Sequence, residues 1–270
     1  MRQDAGRAKE SDRGTVVRSQ KVAGYVTEMF CSVQGEGLYV GERHLFFRAA
    51  GCKATCYWCD TPASKKEQEH CVIHGRVKRS LSNPLGVEEA ANELFQLARE
   101  TKPVAVSITG GEPLEQPDFV TAVAKQLKEK GLRIYLETNG LEVEGLAKAR
   151  PFVDVVAMDI KLPHATGEVH WDTHREFLKW LVGRRAFVKI VVDSPTPLEE
   201  IETAVNLVAE IDRRTPLVLQ PESATYLGGA KGQDARRGLL RLLDQGQRIA
   251  LECLDDVRVI PQCHRIMRIR

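Results

Sequence analysis

The sequence predicts an α/β protein of parallel β-α units that curve into an open or closed barrel. Three observations carry this. From Val22 onward, short apolar runs of strand length alternate with amphipathic stretches of helical period. Strands separated by helices run parallel through right-handed crossovers, and about six such units can bend into a barrel. Polar clusters also end several of the apolar runs: Thr109-Gly110-Gly111-Glu112, Glu137-Thr138-Asn139, Asp159 with Lys161, and Gln220-Pro221-Glu222. Barrels of this kind form their sites at the C-terminal strand ends, and such clustering at one pole is hard to explain by stability alone.

The elements follow in order. Residues 1–21 are polar, with six basic and three acidic side chains, and read as a disordered tail. Residues 22–270 read as one core domain. H-L-F-F-R-A-A-G (44–51) reads as a strand that ends at a cysteine loop. The stretch 63–86 is polar and basic and breaks the rhythm, as an inserted loop or lid would. His70, Cys71 and His74 lie within it, but zinc there would lack a clear fourth ligand, so a solvated loop is preferred. V-A-V-S-I-T-G-G (104–111) is a buried strand running into glycines. Phe119, Val120, Val123 and Leu127 share one face of a helix that Gly131 stops. L-R-I-Y-L-E-T-N-G (132–140), V-D-V-V-A-M-D-I-K (153–161) and R-R-A-F-V-K-I-V-V (184–192) are strands. Next comes a helix with Thr196 as N-cap, Pro197 at its first position, and apolar Leu198, Ile201, Val205 and Val208. P-L-V-L-Q-P-E-S (216–223) and Q-R-I-A-L-E-C (247–253) complete the series of strands.

The 270 residues suffice for one large α/β domain or two small ones, and 43% hydrophobic with 28% charged residues describes a packed soluble globule. A net charge of +2 gives no reason to expect a nucleic-acid or membrane partner. With no run of about 18 apolar residues and no signal-peptide core, a cytoplasmic location is the default. Seven cysteines, unevenly clustered, point to metal or redox chemistry rather than disulfides.

The loop G-C-K-A-T-C-Y-W-C-D-T-P (51–62) places Cys52, Cys56 and Cys59 at C-x3-C-x2-C spacing. A structural zinc site takes four ligands, usually in two separated pairs, and no second C-x2-C pair exists. A disulfide would leave one of the three thiols unused. A conventional 4Fe–4S cluster takes four thiolates, so three on one loop leave one iron open to a substrate or cofactor. A zinc or adventitious thiol cluster is the competing reading.

This spacing, with an aromatic at Trp58 before the third cysteine, resembles the signature of the radical S-adenosylmethionine (SAM) superfamily. T-G-G-E-P (109–113) resembles its glycine-rich motif, where glycines let backbone carbonyls approach the methionine ammonium of SAM. E-M-F-C-S-V-Q-G-E-G (28–37), the cysteine stretch with its D-T, M-D-I-K-L-P, L-Q-P-E-S and R-V-I-P-Q-C-H-R-I narrow the resemblance to the 7-carboxy-7-deazaguanine synthase family, from about residue 24 to the last residue. That resemblance implies a modified, incomplete β/α barrel of the TIM type, usually a homodimer. It implies conversion of 6-carboxy-5,6,7,8-tetrahydropterin to 7-carboxy-7-deazaguanine with loss of ammonia, toward queuosine and other 7-deazapurines. The cofactors implied are a 4Fe–4S cluster, SAM and Mg2+, with an electron donor such as flavodoxin or ferredoxin.

Carried onto this chain, the family pattern has Cys52, Cys56 and Cys59 hold the cluster and Thr61 ligate Mg2+; the plain alternative for Thr61 is a hydroxyl that caps the next turn. SAM contacts are implied for Trp58, Cys59, Asp60, Gly110, Gly111, Glu112, Glu137, Asn139 and Lys161, and for Gln220, Pro221, Glu222 and Ser223. Strand-end capping is the alternative at Glu137 and Asn139. Substrate contacts are implied for Val33, Gln34, Gly35, Glu36, Arg48, Thr109, His264 and Arg270. Gln34 and Glu36 suit a pterin's amide and amine edges, and Arg48 can grip a carboxylate as a fork, with a structural ion pair as the alternative. His264 in P-Q-x-H competes with a satisfied helix-face histidine, and the Arg270 carboxylate could accept from pterin N–H groups. Lys53 stands where asparagine is common, and Cys31, Cys253 and Cys263 read as spectator thiols. Two other readings remain. A glycyl-radical-enzyme activating enzyme shares the cysteine spacing but lacks Q-G-E-G and P-Q-x-H. A non-catalytic iron–sulfur or zinc protein would not need the strand-end clusters.

Overall fold

The computed structural model describes residues 22–228 and 232–270, so the expected tail lies outside the described residues. The chain begins with β1 (Ala23–Gly24), β2 (Val26–Val33), β3 (Arg43–Ala49), β4 (His70–His74), β5 (Lys78–Ser82) and β6 (Leu85–Gly86). Helix α1 (Val87–Thr101) leads to β7 (Ala105–Gly110), α2 (Pro117–Glu129), β8 (Ile134–Thr138), α3 (Val143–Ala149) and β9 (Val155–Ile160). Then come α4 (Pro163–Thr166), α5 (Trp171–Lys179), β10 (Ala186–Val192), α6 (Leu198–Asp212), β11 (Leu217–Pro221), α7 (Ser223–Leu227), α8 (Gln233–Cys253), β12 (Val257–Val259) and α9 (Cys263–Met267).

Among the described residues, ten strands form one sheet in the order β12-β11-β10-β9-β8-β7-β3-β2-β4-β5. Neighbours from β3 through β7 to β12 are parallel, while β2 pairs antiparallel with β3 and β4 with β5. No pairing joins edge strands β12 and β5, so the barrel is incomplete, as the sequence resemblance implies.

Strands covered on both faces read as near-continuous apolar runs. Ile108, Leu136, Met158, Ile190 and Leu219 are fully buried in the core cluster that takes in the apolar faces of α1, α2, α6 and α8. On the inner face, Tyr135, Val155, Phe187 and Val218 form a second apolar cluster with Leu38 and Tyr39. Those two belong to the turn Gly37–Tyr39, which plugs the inside of the barrel. Gly37 has φ +64°, and a Cβ there would meet Phe187 at 2.2 Å, so only glycine lets the plug seat. Phe119, Val120, Val123 and Leu127 of α2 are buried as their spacing predicts, and Gly131 (φ +81°) follows the helix.

Three expectations need correction. Q-R-I-A-L-E-C is not a strand but the last part of α8; Leu239, Leu243, Gly246 and Ala250 are its buried positions, a helical period that a seven-residue window hides. The final strand is instead the three-residue β12. Thr196 does not cap α6, which starts at Leu198 behind Pro197 in an extended conformation (ψ 134°). Its hydroxyl donates to Asp193 Oδ1 at 2.5 Å. The stretch 63–86 is not a loose loop, because it contains the β4–β5 hairpin, which widens the sheet beside β2. Cys71 and Ile73 enter the core while His70 and His74 alternate to the other face, so these side chains do not converge on a zinc site. Strand β2 itself was legible only as a motif. No helix among the described residues is long and apolar enough to cross a membrane.

Candidate active site

A cavity of about 1220 Å³ opens at the C-terminal ends of the parallel strands. Every site residue selected from the sequence lines it except Pro221, which is buried at the end of β11. The inward side chains of successive strands make its floor: Thr109 from β7, Glu137 from β8, Asp159 from β9, Lys189 from β10 and Gln220 from β11.

The cysteine loop follows β3 and forms one wall. Its backbone is anchored on the segment after β9: Tyr57 N–H donates to Ala165 O at 3.2 Å and Thr55 Oγ1 to Thr166 O at 2.6 Å. Cys52, Cys56 and Cys59 are free thiols. Burial pushes Cys52 up to about 11 and raises Cys56 as well, so each is a neutral thiol until a metal takes its proton. The Gly110–Gly111 turn packs under this loop. A Cβ at Gly110 would lie 2.2 Å from Ala49 O, and one at Gly111 would lie 2.0 Å from Gly51 O. The glycines are therefore required by the meeting of two loops, a reason the sequence does not disclose.

Glu112 has its carboxylate filled. It accepts from Leu114 N–H at 3.0 Å, Thr138 Oγ1 at 2.9 Å and Asn139 N–H at 2.7 Å, and so ties the glycine turn to the end of β8. Burial raises it to about 7 against these three donors. Glu137 accepts from Gln34 Nε2 at 2.8 Å and Thr109 Oγ1 at 2.9 Å, and burial with the nearby Glu36 charge raises its pKa. Glu222 caps α7 by accepting from Ala224 N–H at 2.6 Å and Thr225 N–H at 2.8 Å. Ser223 and Gln262 are joined by a hydrogen bond.

The Q-G-E-G turn and the P-Q-x-H segment close over one another. Cys263 N–H donates to Gly35 O at 2.8 Å, and a Cβ at Gly35 would lie 2.3 Å from His264 Nδ1. Gln262 Nε2 lies 2.7 Å from Glu36 Oε1 and 2.9 Å from Asp60 Oδ2. Glu36, Asp60 and His264 offer ligand atoms within 4.8 Å of one another, and the Gln262 amide and the Lys189 ammonium bind Glu36 there. Burial alone would raise Glu36, but Lys189 and its hydrogen bonds hold it down at about 2. Burial lowers His264.

At the far rim, Arg48 Nε donates to Glu28 Oε1 at 3.0 Å, so the ion-pair alternative is realised. Arg270 Nη1 and His74 Nε2 reach the same carboxylate at 3.1 and 3.3 Å. Both guanidinium carbons lie 5.5 Å from the Phe30 ring centre. Thr61 precedes a 3-10 turn without capping it; its hydroxyl has only a 3.5 Å contact to Gly110 O.

Several residues escaped the sequence reading. Lys189 signalled itself only as a charge inside an apolar strand. Gln262 lay inside the recognised P-Q-x-H segment, and Glu28 is a strand residue whose partners come from three other segments.

The cavity's chemistry suits a 4Fe–4S cluster and SAM. Three free thiols share one anchored loop, and Asp159 and Gln220, which line the cavity, each keep a buried side-chain oxygen, Oδ1 and Oε1, with no partner among the described residues. Residues 47–213 match the radical SAM superfamily model. The chain is 39% identical to the 7-carboxy-7-deazaguanine synthase of Geobacter sulfurreducens, over 89% of this chain and 95% of the relative. It is 31% identical to that of Methanopyrus kandleri, over 94% and 98%, and 33% identical to that of Archaeoglobus fulgidus, over 90% and 97%. Its fold is similar to the crystal structure of QueE from Escherichia coli, with a TM-score of 0.57 at 22% identity over 90% and 95% of the chains. The thiol loop and the Q-G-E-G turn thus meet in a fold and a sequence of one lineage: the chain belongs to the 7-carboxy-7-deazaguanine synthase family of the radical SAM superfamily.

Proposed function

We propose that this cavity binds 6-carboxy-5,6,7,8-tetrahydropterin beside SAM and converts it to 7-carboxy-7-deazaguanine with loss of ammonia. One observation carries the reading: the cysteine loop, the glycine turn, the Q-G-E-G turn and the P-Q-x-H segment line a single cavity, although the last two are far apart in sequence. Cys52, Cys56 and Cys59 would hold a 4Fe–4S cluster, their loop carrying no fourth thiol. When bound, the cluster and SAM supply the electron and the radical.

The chain's own side chains do the rest. Asp159 Oδ1 and Gln220 Oε1 accept from ligand donors, and Trp58, Lys161 and Asn139 bound the SAM side. Gln34, Glu36, Thr109 and His264 orient the pterin, while Arg48 and Arg270 share one Glu28 carboxylate and keep guanidinium N–H groups for the substrate's carboxylate. The apolar plug beneath and the P-Q-x-H segment above exclude water from a site where a radical must react in one direction. The Thr61 hydroxyl, free of any cap, would be the protein ligand for Mg2+, an ion that takes oxygen ligands. The chain works in the cytoplasm as a homodimer, reduced by a flavodoxin or ferredoxin.

The deciding experiment is anaerobic reconstitution with iron and sulfide, followed by SAM, Mg2+, a reductant and the carboxy-tetrahydropterin. The expected product is 7-carboxy-7-deazaguanine by mass. SAM cleavage without that product under those conditions would refute the reading.

A further inference from the structure

Lys189 lies in the middle of β10, between Val188 and Ile190 in a strand otherwise made of apolar residues. Its side chain is only 15% exposed. Its ammonium hydrogen-bonds Glu36 and lies 3.4 Å from Asp159 Oδ2. Asp159 is in turn 3.0 Å from Lys161 Nζ, which stands 4.9 Å from the centre of the Trp58 ring. A file of alternating charges thus crosses the cavity floor from the Q-G-E-G turn to the cysteine loop.

Burying such charges costs several kcal/mol per ion, and an apolar residue at this position would serve the barrel's stability as well or better. Phe187 and Val191, the inward residues on either side of Lys189, are of that kind. The charge at 189 therefore calls for a reason in the site. Lys189 itself has carboxylates on two sides, Glu36 and Asp159. Glu36 keeps an acceptor position. It accepts from Gln262 on one oxygen and from Lys189 and Gln220 on the other, whereas an ionised carboxylate offers about four acceptor positions. Gln34, two residues away, has its Oε1 tied to Glu36 N–H at 3.1 Å and its amide nitrogen tied to Glu137, so the turn cannot swing to compensate.

Resting on the proposed pterin reading, we infer that Lys189 is a specificity-determining positioning residue. Its ammonium fixes Glu36 as an acceptor-only anion facing the cavity, and thereby selects a heterocycle that presents an N–H donor to its remaining acceptor position. The 2-amino group of a pterin is such a donor. The counterpart with a 2-oxo group is not, because it sets an acceptor against an acceptor. Lys189 acts through Glu36 and need not touch the ligand.

Lys189→Met keeps the stem and removes the charge. In the reconstituted holoenzyme it should raise KM for the carboxy-tetrahydropterin by about 30-fold or more, with kcat reduced far less and SAM affinity nearly unchanged. Without its counter-charge, buried Glu36 takes up a proton and offers a donor. Inhibition by the 2-oxo counterpart should then strengthen relative to the pterin by about tenfold. Lys189→Arg should keep the wild-type preference, and Glu36→Gln should lose little more when Lys189→Met is added. If Lys189→Met does not fold, Lys189→Gln carries the same expectations. Wild-type turnover with an unchanged KM and preference in these variants overturns the inference alone, as does a fall in thermal stability and kcat with the preference intact. A wild-type enzyme that neither binds nor converts the pterin removes the underlying reading as well.

Discussion

Along β7 to β11 the residues Ile108, Leu136, Met158, Ile190 and Leu219 face the helices, and their immediate neighbours Thr109, Glu137, Asp159, Lys189 and Gln220 face the cavity. The two sets differ by one position in sequence and lie on opposite sides of one sheet. The helix side needs only volume and apolarity, so any single member contributes stability and no chemistry. On the cavity side each polar group must find a partner or a ligand. Asp159 Oδ1 and Gln220 Oε1 have no partner among the described residues, Glu36 keeps an acceptor position beside its bonds to Lys189, Gln220 and Gln262, and Glu137 is held by Gln34 and Thr109. Stability and selectivity are thus separable by choosing the strand face on which to mutate.

The sharpest break of that separation uses the cavity wall. Cys52→Ala, Cys56→Ala and Cys59→Ala should each abolish iron retention and SAM cleavage while far-ultraviolet circular dichroism stays native. Cys71→Ala, which alters the core face of β4, should leave the iron content unchanged. Equal iron loss in Cys71→Ala would mean that the three-thiol assignment is wrong.

On the helix side, Leu136→Ala should cost about 2–5 kcal/mol in anaerobic urea unfolding, because Leu136 has no exposed surface and its cavity cannot fill. KM for the pterin should stay within about threefold in the folded enzyme, since Leu136 points away from the site. A large KM change with small loss of stability would show that the two faces are coupled. The smallest change is Thr61→Ala, which should weaken the Mg2+ dependence of turnover and leave iron content and unfolding untouched. An unaltered Mg2+ titration takes Thr61 out of the metal site.

Much of this division was legible in the sequence, for reasons specific to particular residues. The strand-end clusters at 109–112 and 137–139 were visible because polar residues ending apolar runs are conspicuous. The cysteine loop was visible because its chemistry depends on spacing within one segment. Lys189 was hidden because one lysine in R-R-A-F-V-K-I-V-V reads equally well as the exposed residue of an edge strand. Glu28 was hidden because its role is made by Arg48, His74 and Arg270, which only the fold brings to it. The hairpin was written in H-C-V-I-H as a period of two, but the surrounding lysines and serines obscured it. Q-R-I-A-L-E-C misled because a short apolar run does not distinguish helix from strand, and the helical period shows only in the residues before it.

The bridge from Gln262 to Glu36 and Asp60 has a consequence for how the molecule is put together. Asp60 and Gln262 are 202 residues apart in the chain. A ribosome delivers roughly 5–20 residues per second, so the cysteine loop emerges some ten seconds or more before the segment that covers it. Through that interval the thiols are open to iron delivery and equally open to oxidants. Arrival of Pro261–His264 covers the Asp60 end of that loop, while Cys52 and Cys59 keep part of their surface exposed. The order of synthesis therefore gives the thiols a first period of fuller access, and the open mouth of the cavity leaves a second route afterwards.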